Sequence, residues 1–175
     1  MAAAGRRVRV IPRLTTERLI LRGFVEEDLD EWAAIVADPE VQRFTGGVLN
    51  RMDAWLRMAA YHGHWVLRGY GIWAVVSRDS GRLLGRAGLW YPAGWPELEV
   101  GWTLGRFAWG NGYATEAGRA AVEWGRATLG LQRIASVIDP QNERSIAVAK
   151  RLGMTYDRAA AMDGGDAMAV YAMAL

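Results

Sequence analysis

Residues 109 to 116 read Trp109-Gly110-Asn111-Gly112-Tyr113-Ala114-Thr115-Glu116, two glycines and an alanine in a turn that opens directly into an amphipathic stretch. Glycine at 110 and 112 admits backbone conformations that a side chain forbids, and the first amides of the following helix have no acceptor inside their own helix. Unpaired N–H groups at the positive end of a helix dipole make an anion cradle, one that takes a diphosphate without a lysine or a metal ion.

Downstream of this turn the period becomes helical, with Ala114, Ala117, Ala121 and Trp124 on one stripe and a stop near Gly130. Residues 134 to 138 are a short apolar strand, Asp139-Pro140-Gln141-Asn142 supplies a turn and an N-cap, and a helix over residues 143 to 152 closes at Gly153. Upstream, a strand over residues 97 to 104 is expected to pair with one over 83 to 91. That strand is joined to residues 71 to 76 through the hairpin turn Arg78-Asp79-Ser80-Gly81. Earlier still come a strand over 17 to 24, a helix over 28 to 37 with Leu29, Trp32, Ile35 and Val36 on one face, and a helix over 52 to 67. The last of these is expected to present Trp55, Leu56, Ala59, Ala60 and Trp65. Strands over 154 to 156 and 168 to 175 flank a loop at 163 to 166 and finish the chain. The sum is a single α+β domain over residues 1–175, with residues 1–14 a flexible or edge leader and helices packed on a mainly antiparallel sheet.

The composition fits one globular domain: 175 residues, 51% apolar and 23% charged. The 21 basic and 19 acidic residues leave a formal charge of +2, and Lys150 is the only lysine. Arg6, Arg7, Arg9 and Arg13 form a basic cluster whose plain reading is a solvated leader, so no nucleic-acid partner is expected. No run of about 18 apolar residues exists to span a membrane, which leaves the cytoplasm as the expected address. Cysteine is absent, which excludes disulfides and any mechanism that parks an acyl group on an enzyme thiol. His62 and His64, two residues apart, point to different faces of a helix, so no metal centre is expected. A nucleotide P-loop would need a Gly-Lys pair, which is missing, and a dinucleotide fingerprint from Gly110 would need a small residue where Thr115 stands.

The order of strand, glycine turn, helix, strand and Asn-led helix over residues 97 to 154 resembles the GNAT acetyltransferase superfamily. The string Glu99-Val100-Gly101-Trp102-Thr103-Leu104, the glycine turn, Asn142-x-x-Ser145, Leu152-Gly153 and the opening Thr16-Glu17-Arg18-Leu19-Ile20-Leu21-Arg22 are similar to its RimJ/RimL group. The family's phosphate signature begins with Gln or Arg, where this chain has Trp109; Gly112 and Ala114 match. The resemblance implies a GNAT-like mixed sheet splayed at the cofactor strand and acetyl-CoA as acyl donor. Its pyrophosphate would lie over Trp109, Gly110, Asn111, Gly112, Tyr113 and Ala114, and its pantetheine arm beside Trp102, Thr103 and Leu104. An amide near Leu104 would hold the developing oxyanion. Asn142 has two readings, a contact to the arm from the other side and a plain N-cap.

The chemistry implied is direct transfer of an acetyl group to a primary amine, either a protein N-terminal α-amine or a small molecule. Glu97 and Glu99, expected on one face of their strand, are the candidate bases, with Glu99 favoured for its place in the family string. Counting from Asn142, the position of the family's usual acidic tyrosine holds Ala149, so Ser145 is the candidate to steady or protonate the thiolate. A noncatalytic acyl-CoA sensor of the same fold is the alternative. Core packing accounts for most of the nine tryptophans, with some of Trp65, Trp73, Trp90, Trp95 and Trp102 left to wall an acceptor pocket beside Tyr61, Tyr70 and Tyr91. The sequence carries no signal for oligomeric state, and a homodimer is held only as an expectation.

Overall fold

The computed structural model describes residues 10–161 and 167–175; Arg6, Arg7, Arg9 and the expected loop at 163 to 166 lie outside them. Eight strands form one sheet: β1 (Leu14–Thr15), β2 (Leu19–Arg22), β3 (Ile72–Ser77), β4 (Leu83–Trp90), β5 (Glu99–Leu104), β6 (Arg133–Ile138), β7 (Thr155–Ala161) and β8 (Ala167–Ala174). Their spatial order is β1-β2-β3-β4-β5-β6-β8-β7. Every neighbouring pair is antiparallel except β5 and β6. A parallel pair cannot be closed by a hairpin and needs a crossover. Here it is the helix α4 (Tyr113–Leu129), the one opened by the glycine turn.

The sheet is covered on both faces, and β3 shows why. Its alternate residues Trp73 and Val75 enter one apolar cluster with Ala117 and Ala121 of α4 and with Ala149 of α5 (Glu143–Arg151). Ile72, Ala74 and Val76 enter another, with Trp32 and Ile35 of α1 (Leu29–Val36) and Ala54 and Met58 of α3 (Arg51–Arg68). Such two-sided burial makes β3 read as a continuous apolar run. Trp65, Trp73 and Trp124 meet edge to face, with centroids 4.7 to 5.4 Å apart, so these three are core. Among the described residues no helix is long and apolar enough to cross a membrane.

The elements differ from those expected at several points. A short helix, α2 (Pro39–Gln42), follows α1; Asp38 caps it by accepting from the Glu40 amide at 2.9 Å, and Pro39 starts it with φ already set. Strand β7 runs on to Ala161 where only residues 154 to 156 were expected. Leu14 and Thr15 pair with Leu21 and Ile20 at the sheet edge. A further difference concerns α3, which buries Ala54, Met58, Tyr61, His64 and Trp65. Trp55, Leu56, Ala59 and Ala60 face outward. The period was legible but the face was not, since this helix is apolar on both sides.

Candidate functional site

Strand β5 lies where the sheet opens. Gly105 donates to the Leu84 carbonyl at 2.9 Å, in step with the pairing of Gly85 with Leu104. In an antiparallel ladder alternate residues bond to one side only, so Trp102 and Leu104 turn their peptide groups away from β4, toward β6. But β6 meets β5 at a single pair, Glu99 with Ala135. Two side chains then end the junction: Ser136 Oγ donates to the Val100 carbonyl at 2.6 Å, and Glu99 Oε2 accepts from the Val137 amide at 2.8 Å. Beyond them the strands diverge, leaving the Trp102 peptide groups and the Leu104 N–H without a strand partner among the described residues. The Leu104 carbonyl accepts from Trp109 Nε1 at 2.8 Å, a bond the sequence did not announce.

The opened edge is one wall of a cleft of about 1140 Å³. Of the residues expected to meet the cofactor, all but Asn111 line it. The amide of Asn111 instead turns back to the Trp109 carbonyl at 3.0 Å and helps shape the turn. Gly110 and Gly112 both have φ near +78°, a region that suits glycine. The first bond of α4 runs from the Glu116 amide to the Gly112 carbonyl, so the amides of Tyr113, Ala114 and Thr115 have no acceptor within the helix. Thr115 Oγ1 is buried without a hydrogen-bond partner. The acid in this first turn, Glu116, points elsewhere: Thr16 Oγ1 donates to it at 2.6 Å and Arg18 Nε at 2.7 Å. Burial raises its pKa, and the Thr16 and Arg18 contacts outweigh that and hold it below the ordinary carboxylate range. An orphaned hydroxyl, free helical amides and an acid neutralised by its own arginine suit a phosphate group. A Cβ at Gly112 would stand 3.5 Å from Arg18 Nη2, so a side chain there would act through backbone strain and contact with Arg18.

The opposite wall is the start of α5. Asn142 Oδ1 accepts from the Ser145 amide at 3.1 Å, an N-cap, and both residues line the cleft. Ala149 is fully buried in the core and lies outside the lining. Arg144 stacks its guanidinium 4.3 Å from the centroid of the Trp109 ring, bridging the two walls. Arg144, Thr115 and the far-wall residues Val41, Phe44 and Thr45 were missed by the sequence reading. Only Asp38-Pro39, announcing α2, was a signal for any of them.

Glu97 and Glu99 do not share a strand face, because β5 starts at Glu99. Glu97 lies 3.5 Å from Arg133 and 3.3 Å from Arg158, in a surface ion-pair network. Glu99 is buried, which pushes its pKa up to about 7 against the lowering effects of the Val137 amide, Arg86 and Trp95. Trp95 Nε1 is within electrostatic reach of Glu99 but makes no hydrogen bond. Glu99 does not line the cleft. It is approached over Gly101, where an added Cβ would stand 3.5 Å from Glu99 Oε1 and 3.3 Å from Arg86 Nη1. The bare backbone there is half-buried and continues on the same strand face to Thr103, which does line the cleft. His64 has both ring nitrogens engaged, Nδ1 with the Tyr70 carbonyl at 2.7 Å and Nε2 with the Tyr91 amide at 3.3 Å. It stacks on Trp90 as a structural residue.

A mainly antiparallel sheet opened at the one parallel junction among the described residues, with a glycine-opened helix at the opening, defines a class of α+β folds. The chain matches the model of the acetyltransferase (GNAT) domain over residues 18–155 and belongs to that family. It is 32% identical over 157 residues to the uncharacterized protein YkkB of Bacillus subtilis (strain 168), covering 83% of this chain and 87% of that protein. It is 29% identical over 147 residues to the uncharacterized N-acetyltransferase YoaA of the same organism, covering 82% and 83%. Among solved structures it is similar to an acetyltransferase from Agrobacterium tumefaciens str. C58, with a TM-score of 0.85 and 32% identity over 94% of this chain and 95% of that one. RimL, a ribosomal L7/L12 α-N-protein acetyltransferase solved in complex with coenzyme A, shares the fold with a TM-score of 0.74 and 18% identity over 95% and 98% of the two chains.

Proposed function

We propose that the protein transfers the acetyl group of acetyl-CoA directly to a primary amine, a protein N-terminal α-amine or a small-molecule amine, with both substrates bound together. The observation that carries this reading is the continuity of one cleft from the free amides of α4 to the unpaired edge of β5. Acetyl-CoA supplies an activated thioester; the chain supplies position, a proton acceptor and an oxyanion donor.

The amides of Tyr113, Ala114 and Thr115, with the Thr115 hydroxyl, hold the diphosphate. The Trp102 peptide groups pair with the pantetheine arm as an added strand would. The Leu104 N–H remains to receive the charge that develops on the reacting carbonyl oxygen. Glu99 takes the amine's proton over Gly101, directly or through a water. Ser145 steadies or protonates the departing sulfur from the other wall. A carboxyl near 7 favours the α-amine: such amines titrate at about 7.7 to 8.0, within about one pK unit, whereas a lysine amine near 10.4 is more than three units away.

Arg144 takes over the cationic contribution that Trp109 does not make. Held on the indole, its guanidinium hangs over the mouth of the cleft, beside the cradle. Arg144→Gln is expected to weaken CoA binding about tenfold, the scale of one charge-assisted hydrogen bond, and to leave pantetheine binding unchanged. Calorimetric titration with both ligands checks this, and an equal loss for pantetheine would remove the phosphate role. The function itself is tested by offering acetyl-CoA with a panel of N-terminal peptides, polyamines and aminoglycosides and measuring free CoA release. Release with a peptide α-amine supports the reading. Tight acetyl-CoA binding without release for any acceptor would establish the sensor instead.

A further inference from the structure

We propose that Arg86 selects the acceptor, and that the amine acetylated by this protein carries a carboxylate one or two carbons from its nitrogen, as an amino acid or an acid-led peptide does. Resting on the transfer reaction proposed above, this assignment adds the class of acceptor. Arg86 stands in a row of directly opposed residues, Arg22, Ala74, Arg86 and Thr103, that crosses β2, β3, β4 and β5. Opposed residues on antiparallel strands share a face, so Arg86 projects from the side of the sheet on which Thr103 lines the cleft. The two arginines of the row are placed differently. Arg22 donates to both oxygens of the buried Asp28, at 2.6 and 2.7 Å. Arg86 is half-buried and has no ion-pair partner among the described residues. Its guanidinium carbon lies 5.7 Å from the centroid of the Tyr61 ring, at the outer limit of a cation–π contact. A guanidinium held partly out of water without an acid of its own is costly, and an acid brought by the acceptor offsets that cost.

Arg86 and the base converge on one spot. A Cβ at Gly101 would stand 3.3 Å from Arg86 Nη1 and 3.5 Å from Glu99 Oε1, so a small group lying on that bare backbone touches the guanidinium and the carboxyl together. The indole N–H of Trp95, within reach of the same carboxyl, is buried and donates to nothing. Two unpaired donors beside one carboxyl suit a plain cation badly, because an ammonium drawn to Glu99 is repelled by Arg86. A zwitterion meets both charges, with its ammonium at Glu99 and its carboxylate at Arg86, where the planar guanidinium can bond both carboxylate oxygens. The short span between the two contacts requires an equally short span between amine and carboxylate. Polyamines and aminoglycosides carry several cations and no acid, and this arrangement disfavours them.

Two matched pairs of acceptors test this: an Asp-led against an Asn-led peptide, and alanine against alaninamide. The acid-bearing member of at least one pair is expected to be favoured about tenfold or more in kcat/KM, the scale of a hydrogen bond between charged groups. Preference within the first pair assigns the side-chain carboxylate of a protein N-terminus, and within the second the α-carboxylate of a free amino acid. Arg86→Gln should lower that ratio about tenfold. Arg86→Lys keeps the charge without the planar fork and should retain a few-fold preference. The ratio does not move with the fraction of folded enzyme or with a change at Glu99, since both members of a pair share them. Calorimetric titration of the same compounds into the CoA-saturated chain gives the ratio as affinities, without turnover. Absence of CoA release with every acceptor would remove the transferase reading, while the affinity ratio would still decide the role of Arg86. Equal kcat/KM and equal affinity within both pairs, a preference that survives Arg86→Gln, or faster turnover of a polyamine than of every acid-bearing acceptor would each overturn the proposal.

Discussion

Glu99→Gln is expected to lower kcat by about 10²-fold or more, the lower bound of general-base contributions, while leaving acetyl-CoA affinity unchanged and making the protein more stable at pH 8. The two effects have one cause. Burial raises the Glu99 pKa from 4.5 to about 7, so between those values the folded chain keeps a proton that the unfolded chain has lost. Stability therefore falls as pH rises through this window, and above about 7 the full cost of a buried carboxylate is present, on the order of 3 kcal/mol. Glutamine can still accept from the Val137 amide, as Glu99 does at 2.8 Å, and carries no charge to desolvate. The variant should gain roughly 6–12 °C in Tm at pH 8, at about 2–4 °C per kcal/mol for a chain of this size, and nothing at pH 4.5. Wild-type kcat/KM should fall as pH drops through about 7, where Glu99 takes up its proton. Thermal melts at the two pH values and a pH–rate profile decide the matter. Near wild-type turnover would clear Glu99 of the role, and a stability gain that ignores pH would show that its carboxylate is not desolvated.

The second large effect is expected at Gly112. It caps α4 in the left-handed region with φ 78°, where a β-branched residue is strongly disfavoured, at a cost of roughly 1–2 kcal/mol or more. Gly112→Val should push the turn out of that region, tilt the amides of Tyr113 to Thr115 out of convergence and crowd Arg18 Nη2, 3.5 Å from the new Cβ. CoA affinity should fall about 10- to 100-fold. Gly112→Asn separates geometry from bulk, since asparagine tolerates left-handed backbone, and is expected to stay within a few-fold of wild type. Calorimetry on both variants checks this; Val and Asn weakening CoA alike would mean that the conformation of the turn is not what holds the ligand.

Much of this molecule was legible along the chain because the relevant forces act over a few residues. Gly110 and Gly112 set their own dihedral angles, Asn142 caps the helix it precedes, and the continuous apolar run of β3 follows from two-sided burial. What was not legible involves residues far apart in sequence. Thr16 and Arg18 restrain Glu116 across roughly a hundred positions, Arg144 reaches back to Trp109, and the Glu99 carboxyl closes the end of a strand junction with Val137. Even the face of α3 was misassigned, because apolar residues lie all round it and periodicity cannot say which side meets the sheet.

The sequence by itself determined the glycine turn that opens α4, the order of elements and the family resemblance, for these rest on local backbone preference and on short motifs. Only the tertiary structure decided which peptide groups of β5 stay unpaired, that Glu99 is buried near neutrality while Glu97 is spent on surface ion pairs, and that α3 turns an apolar stripe outward. Burial, strand pairing and desolvation depend on which distant segments come together, and no window of the chain contains that information.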